Sequence, residues 1–429
     1  MDLIINGYGK KLIGEIKVPG DKSISHRSIM IGSLANGNTT VGNILMSEDI
    51  RRTIQCFQDM GVNIEKRNGI IYIKGAGLFG LNAPKSILDC GNSGTTMRLL
   101  SGMLIGQKFS TTLIGDKSLM NRPMKRIIVP LSKMGGNIHG REDEYPPLEI
   151  KPANNLLKGI SYELPVASAQ VKSSILLATL YSLGTTKIVE NKTTRDHTER
   201  MLNYFGCNVL NKGNEIIMDG NHKLSGKEVY IPGDISSAAF FIVAGTLIED
   251  SNIIIKDVGI NPTRTGIITV LKEMGANIKI SNKRLLNNEP VGDIKVEHSH
   301  LRGIQIDGDI VGSLIDEIPI IAVAAAFAKG KTIIRNAEEL KYKESDRIKA
   351  MTTELKKMGA KVEELSDGMI IEGVDFLRPA KLYSYNDHRI AMALSIAALK
   401  ADGESYIDGY QSVNISYPNF YETLFNLMA

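Results

Sequence analysis

The sequence predicts an α/β protein in which six βαβ-containing units are grouped three and three into two domains. Three observations carry that expectation: a Met-Gly or Phe-Gly ending that recurs around the chain, a second kind of low-charge segment interleaved with it, and chain ends that complement each other.

The first pattern joins an amphipathic run to two short β-like stretches in CFQDMGVNI, PLSKMGGNI, MLNYFGCNV, VLKEMGANI and ELKKMGAKV. Its glycines, Gly61, Gly135, Gly206, Gly275 and Gly359, lie 74, 71, 69 and 84 residues apart, close to one-sixth of the 429-residue chain and too far for a solenoid repeat. A glycine that ends a helix in a left-handed cap, followed by β-branched residues, reads as helix-to-strand. The second pattern appears six times, as SHRSIMIGSLANG, GTTMRLLSGMLIG, AQVKSSILLATLYSLG, SSAAFFIVAGTLIE, DEIPIIAVAAAFAKG and DHRIAMALSIAALKADG. These segments are rich in Ala, Ser, Gly and Leu and poor in charge, as helices buried on most sides are. Each is preceded or opened by a residue type that caps a helix start.

A sixth copy of the first pattern would begin with the terminal YETLFNLMA and take both of its strands from DLIINGYGKKLIGEIKV at the other end of the chain. The Pro-Gly-Asp of PGDKS returns in YIPGDISSAAFF at 230–241, where the second half begins. The expected domains are therefore 20–233, and 1–19 plus 234–429, with two crossings between them. If the buried helices aim their starts at one place, free N–H groups and partial positive charge there would hold polyanions.

Composition narrows the partners. With 51 basic against 47 acidic residues, a net charge of +4 and no basic blocks, nucleic acid is not the expected partner, whereas a local cluster for a small anion is permitted. Cys56, Cys90 and Cys207 are odd in number and form no CxxC pair, which fits a reducing cytoplasm rather than a disulfide framework or a zinc site. The start lacks the apolar core of a signal peptide, and the longest apolar run, IPIIAVAAAFA at 318–328, falls short of the roughly 18 residues that span a bilayer. Neither secretion nor membrane insertion is expected.

Four groups of residues carry candidate chemistry. In PGDKSISHR, Lys22 and Ser23 stand at a helix start with Arg27 about one turn on. Asp21 separates Gly20 from Lys22, and Ala325 stands where a loop ending in Gly330-Lys331-Thr332 needs glycine, so a nucleotide-binding P-loop is disfavoured. In CGNSGTTMR, Gly91 and Gly94 let a ligand approach the backbone, and NRPMKR sets Arg122 before a stiffening proline. PVASAQVKS and TRDHTER supply Ser168, Gln170, Lys172 and Arg195, types that together bind a phosphorylated polyol. In the second half, SLIDEIP, KYKESDR and SYNDHRIAM bring Asp316, Lys343, Glu344, Arg347, Asp387, His388 and Arg389, each of which also suits a salt-bridged helix terminus.

Taken in order, PGDKSISHR, GNSGTTMR, NRPM, ASAQVKS, TRDHTER, PGDISSA, IDEIP, YKESDRI and YNDHRIAM resemble the EPSP synthase family over nearly the whole chain. The ASAQ and TRDHT forms look like a variant bacterial group rather than the enteric type, which has Ser-Ser-Gln there. The resemblance implies two inside-out α/β domains that close over a cleft, with the first mainly on the shikimate 3-phosphate side. It implies transfer of the enolpyruvyl group of phosphoenolpyruvate to the 5-hydroxyl of shikimate 3-phosphate, in the shikimate pathway to chorismate and aromatic amino acids. By resemblance, Lys22, Ser23, Arg27, Ser168, Gln170, Arg195, Asp316 and Lys343 hold shikimate 3-phosphate, and Lys22, Gly94, Arg122, Gln170, Arg347 and Arg389 hold phosphoenolpyruvate. The herbicide glyphosate would occupy the phosphoenolpyruvate pocket and extend slightly further. No metal or organic cofactor is implied, and a cytoplasmic monomer is expected.

The reaction asks for these residue types. An alcohol adds to C2 of an enol ether while C3 takes a proton, which needs a base near the hydroxyl and an acid near the methylene. Asp316 and Glu344 suit those tasks, and Lys22 suits the departing phosphate. His388 suits either support of the acid–base group or a structural hydrogen bond at a helix start. Two departures from the enteric pattern stand out: SVNISYPNF at 412–420 lacks a lysine, and Ala169 replaces a hydroxyl. The sister enolpyruvyltransferase acting on UDP-N-acetylglucosamine normally carries a cysteine near the arginine matching Arg122, and DKSLMNRPM has none.

Overall fold

The computed structural model describes residues 2–7 and 9–429. Among these, twelve α-helices alternate between two kinds. The odd-numbered ones are α1 (Lys22–Leu34), α3 (Gly94–Leu104), α5 (Ala169–Thr179), α7 (Ile235–Leu247), α9 (Ile318–Ala326) and α11 (His388–Leu399). They are the low-charge segments, and every residue of α7 and α9 is buried. The even-numbered ones are α2 (Glu48–Asp59), α4 (Lys125–Lys133), α6 (His197–Tyr204), α8 (Gly266–Met274), α10 (Arg347–Lys357) and α12 (Phe420–Leu427), and each buries only one face. Strands such as Ile70–Ala76 and Tyr145–Lys151 bury alternate residues, so the sheets are the outer layer and the odd helices the interior. This is the inside-out α/β arrangement.

Small residues let the inner helices touch. A Cβ built on Gly102 of α3 would lie 2.1 Å from the carbonyl oxygen of Ser174 in α5, so only glycine fits that crossing. The Ser174 hydroxyl donates to the Arg98 carbonyl across the same contact at 2.8 Å.

The five Met-Gly and Phe-Gly glycines all have positive φ, from 85° to 107°. At each, two backbone bonds close the helix end; Gly136 N donates to Leu131 O at 3.0 Å and Gly135 N to Ser132 O at 2.9 Å. This is the Schellman end that such a sequence requires. Gly135 isolates its cost, because a Cβ there would meet nothing within 4 Å. Gly135→Ala is expected to destabilise the protein by about 1–2 kcal/mol through backbone strain alone, read as a lower denaturation midpoint at unchanged slope. An unchanged midpoint would deny the glycine that role.

The sheets repeat one topology. Among the described residues, four of the five four-stranded sheets have the order first strand, second strand, fourth strand, third strand, as in Ser161–Glu163, Thr185–Val189, Glu215–Asp219 and Val209–Lys212. In three of them the first two strands are parallel and flank a buried helix, as a βαβ crossover demands.

Here the chain ends depart from expectation. Only Leu3–Ile5 completes the sixth unit, pairing antiparallel with Ser405–Asp408 in a three-stranded sheet. Ile13–Lys17 instead pairs parallel with Asn252–Gly259 in the fourth unit, while Glu228–Tyr230 pairs with Asn36–Gly42 in the first. The strands before α1 and before α7 have exchanged sheets. The exchange needs the chain to cross between units twice, and that pairing is set by tertiary partners rather than by either strand's own sequence. The C-terminal end is held by Phe420 of α12, packed edge-on to Phe240 of α7 at 6.0 Å between ring centroids.

The chain divides into two compact units, one of residues 20–231 and 286–289, the other of 1–19, 232–285 and 290–429. Each has its own hydrophobic core. The second crossing thus falls two residues before the expected 233/234 boundary, since Gly233 N donates to Asp257 O at 2.8 Å. The tip 286–289 of a long hairpin, which carries no boundary signal of its own, lies with the first unit. Asn287 Nδ2 donates to the Tyr230 carbonyl at 2.6 Å, Arg200 to the Asn288 carbonyl at 2.9 Å, and His197 Nδ1 lies 2.7 Å from Glu289 Oε1.

Candidate active site

In the unit containing residues 20–231, three helix starts are tied to one another. Asp21 caps α1, Ser93 caps α3 and Ser168 caps α5, each accepting from a backbone N–H of the first turn. Lys22 is the first residue of α1 and Ser23 the second; the Lys22 ammonium pairs with Asp49, a counter-ion from α2 that no local pattern singles out. Arg27 is buried, with Nε donating to Thr198 Oγ1 at 2.6 Å, Nη2 to Ser173 Oγ at 2.8 Å and Nη1 to the Ser23 carbonyl at 2.9 Å. Burial lowers its pKa to about 10, so it stays charged at neutral pH. Arg195, half-buried just before α6, is near enough for its charge to act on Arg27.

At the start of α3, Arg122 Nη2 donates to Asn92 Oδ1 at 2.7 Å. A Cβ on Gly94 would lie 3.0 Å from Arg98 Nη1 and 3.7 Å from Arg122 Nη1, so two guanidinium groups flank the missing side chain. Arg98 in turn donates to Gln170 Oε1, whose Nε2 donates to Thr95 at 2.9 Å. Lys22, Ser23, Arg27, Gly94, Arg122, Ser168, Gln170 and Arg195 therefore all sit at or beside the capped starts of α1, α3 and α5. Arg98 belongs with them. The signal for it was its place four residues after Gly94, on the same helix face. Lys172 does not belong with the exposed ligands, for its side chain is 1% exposed and enclosed by Glu190 and Glu199.

In the other unit, Arg347 opens α10 and is 1% exposed. Its Nε lies 2.8 Å from Asp387 Oδ2, Nη2 lies 2.6 Å from Glu344 Oε2, and Nη1 lies 3.4 Å from Asp316 Oδ1. Although burial works against its charge, Asp387 and the other carboxylates push its pKa up. Asp387 also caps α11 through Arg389 N at 2.9 Å; burial opposes its ionised form, but Arg347 holds the carboxyl below its usual value. Lys343 Nζ lies 3.7 Å from Asp316 Oδ1, and Arg389 Nη1 donates to the Asp316 carbonyl at 3.1 Å. His388 is buried beside this cluster, and desolvation lowers its pKa to about 4, so the ring is neutral at pH 7. Asp316, Lys343, Glu344, Arg347, His388 and Arg389 are thus one cluster. Asp387 is its anchor, which the helix-cap position of Asn-Asp-His-Arg already suggested.

The family pattern of EPSP synthase (3-phosphoshikimate 1-carboxyvinyltransferase) matches residues 7–424. The chain belongs to the EPSP synthase family. A 3-phosphoshikimate 1-carboxyvinyltransferase of Thermoanaerobacter sp. (strain X514) is 56% identical over 412 residues, covering 96% of this chain and 97% of that protein. One of Desulforamulus reducens is 50% identical over 426 residues, covering 99% of each. Among solved structures, the EPSP synthase of Acinetobacter baumannii superposes with a TM-score of 0.91 at 46% identity, covering 100% of this chain and 98% of that one. No helix among the described residues is long and apolar enough to cross a membrane.

Proposed function

We propose that this EPSP synthase family member transfers the enolpyruvyl group of phosphoenolpyruvate to the 5-hydroxyl of shikimate 3-phosphate, releasing 5-enolpyruvylshikimate 3-phosphate and phosphate. The observation that carries the reading is the convergence of Asp316 and Glu344 on the single buried guanidinium of Arg347, which supplies two carboxyl groups of different surroundings in one place. Asp316 takes the proton of the 5-hydroxyl as oxygen attacks C2. Glu344 protonates C3 and then removes a C3 proton as phosphate leaves the tetrahedral intermediate, with Lys22 neutralising the departing phosphate.

Lys22, Ser23, Arg27, Ser168, Gln170, Arg195, Asp316 and Lys343 hold shikimate 3-phosphate in this reading. Lys22, Gly94, Arg122, Gln170, Arg347 and Arg389 hold phosphoenolpyruvate. Arg347 already serves three carboxylates, so an incoming carboxylate would compete at Nη1, whose contact with Asp316 is the longest of the three close ones. Phosphate release from the two substrates, with UDP-N-acetylglucosamine as the alternative acceptor, tests the function; release with the sugar nucleotide alone would overturn it.

The proposed ligands come from both units, so full binding requires both to engage one substrate pair. Small-angle scattering is therefore expected to give a smaller radius of gyration with shikimate 3-phosphate plus an unreactive phosphoenolpyruvate analogue than without them. Superimposable profiles would remove closure from the proposal. The protein is proposed to act as a cytoplasmic monomer, in keeping with three cysteines that are buried free thiols.

A further inference from the structure

We infer that Lys172 is a positioning residue for the shikimate 3-phosphate site, fixing the 190–199 segment so that Arg195 and Arg27 meet the substrate phosphate. The inference rests on the function proposed above.

Lys172 sits in the interior face of α5, and its ammonium finds three oxygens there. Glu190 Oε2 is 3.0 Å away, Glu199 Oε1 2.7 Å and the Thr194 carbonyl 3.4 Å. These three acceptors mark the beginning, middle and end of the segment that joins the strand Thr185–Val189 to the first turn of α6. The Thr194 hydroxyl also donates to the other oxygen of Glu190. One ammonium, hydrogen-bonded to Glu190 and Thr194 and ion-paired with Glu199, gathers the segment around a single point. Arg195 is the residue next to Thr194 in that segment.

The neighbouring residues on the same two helices complete the argument. Ser173, next to Lys172, and Thr198, next to Glu199, are the two hydroxyl groups that hold Arg27, and they lie 2.6 Å from each other. The spacing of α5 and α6 is thus fixed twice, once by the Lys172–Glu199 pair and once by the Arg27 cradle. Burial works against the charge of Lys172, yet Glu199 and Glu190 hold it above its ordinary pKa, so the ammonium persists. A buried ion pair adds little stability over a well-packed apolar residue. What it supplies here is a fixed geometry for a segment that also carries a proposed phosphate ligand.

The test compares wild type, Lys172→Met and Lys172→Arg. Loss of one charge-assisted contact to a phosphate is expected to weaken shikimate 3-phosphate binding roughly 10-fold or more in Lys172→Met. Calorimetry with shikimate 3-phosphate alone and the KM for that substrate read this directly. The KM for phosphoenolpyruvate should stay within about twofold, and Lys172→Arg should recover most of the affinity. An equal rise in both KM values, or unchanged shikimate 3-phosphate binding, overturns the inference while leaving the function standing. If Lys172→Met does not fold, the double variant Lys172→Met with Glu199→Gln keeps the formal charge of the cluster and is expected to show the same selective loss; its absence overturns the inference equally. A wild-type protein without turnover would remove the functional reading, and this inference with it.

Discussion

Glu344→Gln and Asp316→Asn are each expected to lower turnover by roughly 10²- to 10⁴-fold, the scale of a lost general acid or base. Both replacements keep the shape of the side chain and remove its ability to exchange a proton at neutral pH. The two should differ in their side effects. The side chain of Glu344 is 35% exposed and that of Asp316 14%, so the glutamine variant should fold with little loss of stability. Neither strips Arg347 of its main anchor, because Asp387 remains at 2.8 Å. The wider cluster therefore survives, and a fall in turnover cannot be assigned to its collapse. Asp316→Asn should also weaken shikimate 3-phosphate binding somewhat, through the proposed contact with the 5-hydroxyl, whereas Glu344→Gln should leave it nearly unchanged. Pre-steady-state phosphate release and calorimetry separate these effects, and wild-type-like turnover in either variant removes that residue from the mechanism.

Local signals made the fold legible. Low charge marked the six buried helices, because a helix surrounded by others has no face for charge, and α7 and α9 are buried at every position. The five glycine endings were legible because the backbone there must take positive φ, a demand few residues other than glycine meet. What stayed hidden was pairing at long range. Nothing in Ile13–Lys17 or Glu228–Tyr230 says which sheet each joins, since both have the alternation of any edge strand and the choice lies with partners some two hundred residues away.

The candidate site divides in the same way. Helix caps and their neighbours, such as Lys22, Gly94, Ser168 and His388, were visible from position alone. Lys172 shares a segment with Ser168 and Gln170, but its enclosing carboxylates, Glu190 and Glu199, arrive from a later one. Arg347 suited a salt-bridged helix terminus by type, but its strongest partner, Asp387, lies 40 residues on. Charge types can be read from a sequence, but whether a charge is spent on the protein or left for a ligand is decided by the fold.

Gly94→Ala is expected to separate two ligands of different length. The missing side chain opens a space against Arg98 Nη1, 3.0 Å from where a Cβ would stand, and near Arg122 Nη1 at 3.7 Å. Arg98 cannot simply swing aside, because it is tied to Gln170, which is itself a proposed ligand for both substrates. The added methyl therefore takes volume from the pocket or shifts a guanidinium that should meet the anion. Gly94 is the first residue of α3 and has no left-handed backbone, so alanine is compatible with the helix and stability should hold. One methyl in a filled site costs about 1–3 kcal/mol, or roughly 5- to 150-fold in affinity. Phosphoenolpyruvate should bear the smaller part of that cost and glyphosate, proposed to extend further along the same pocket, the larger. We expect glyphosate to compete with phosphoenolpyruvate in the wild type. In Gly94→Ala its inhibition constant should rise more than the KM for phosphoenolpyruvate. An equal rise in both, or a rise in neither, would show that Gly94 does not set the length limit of the pocket.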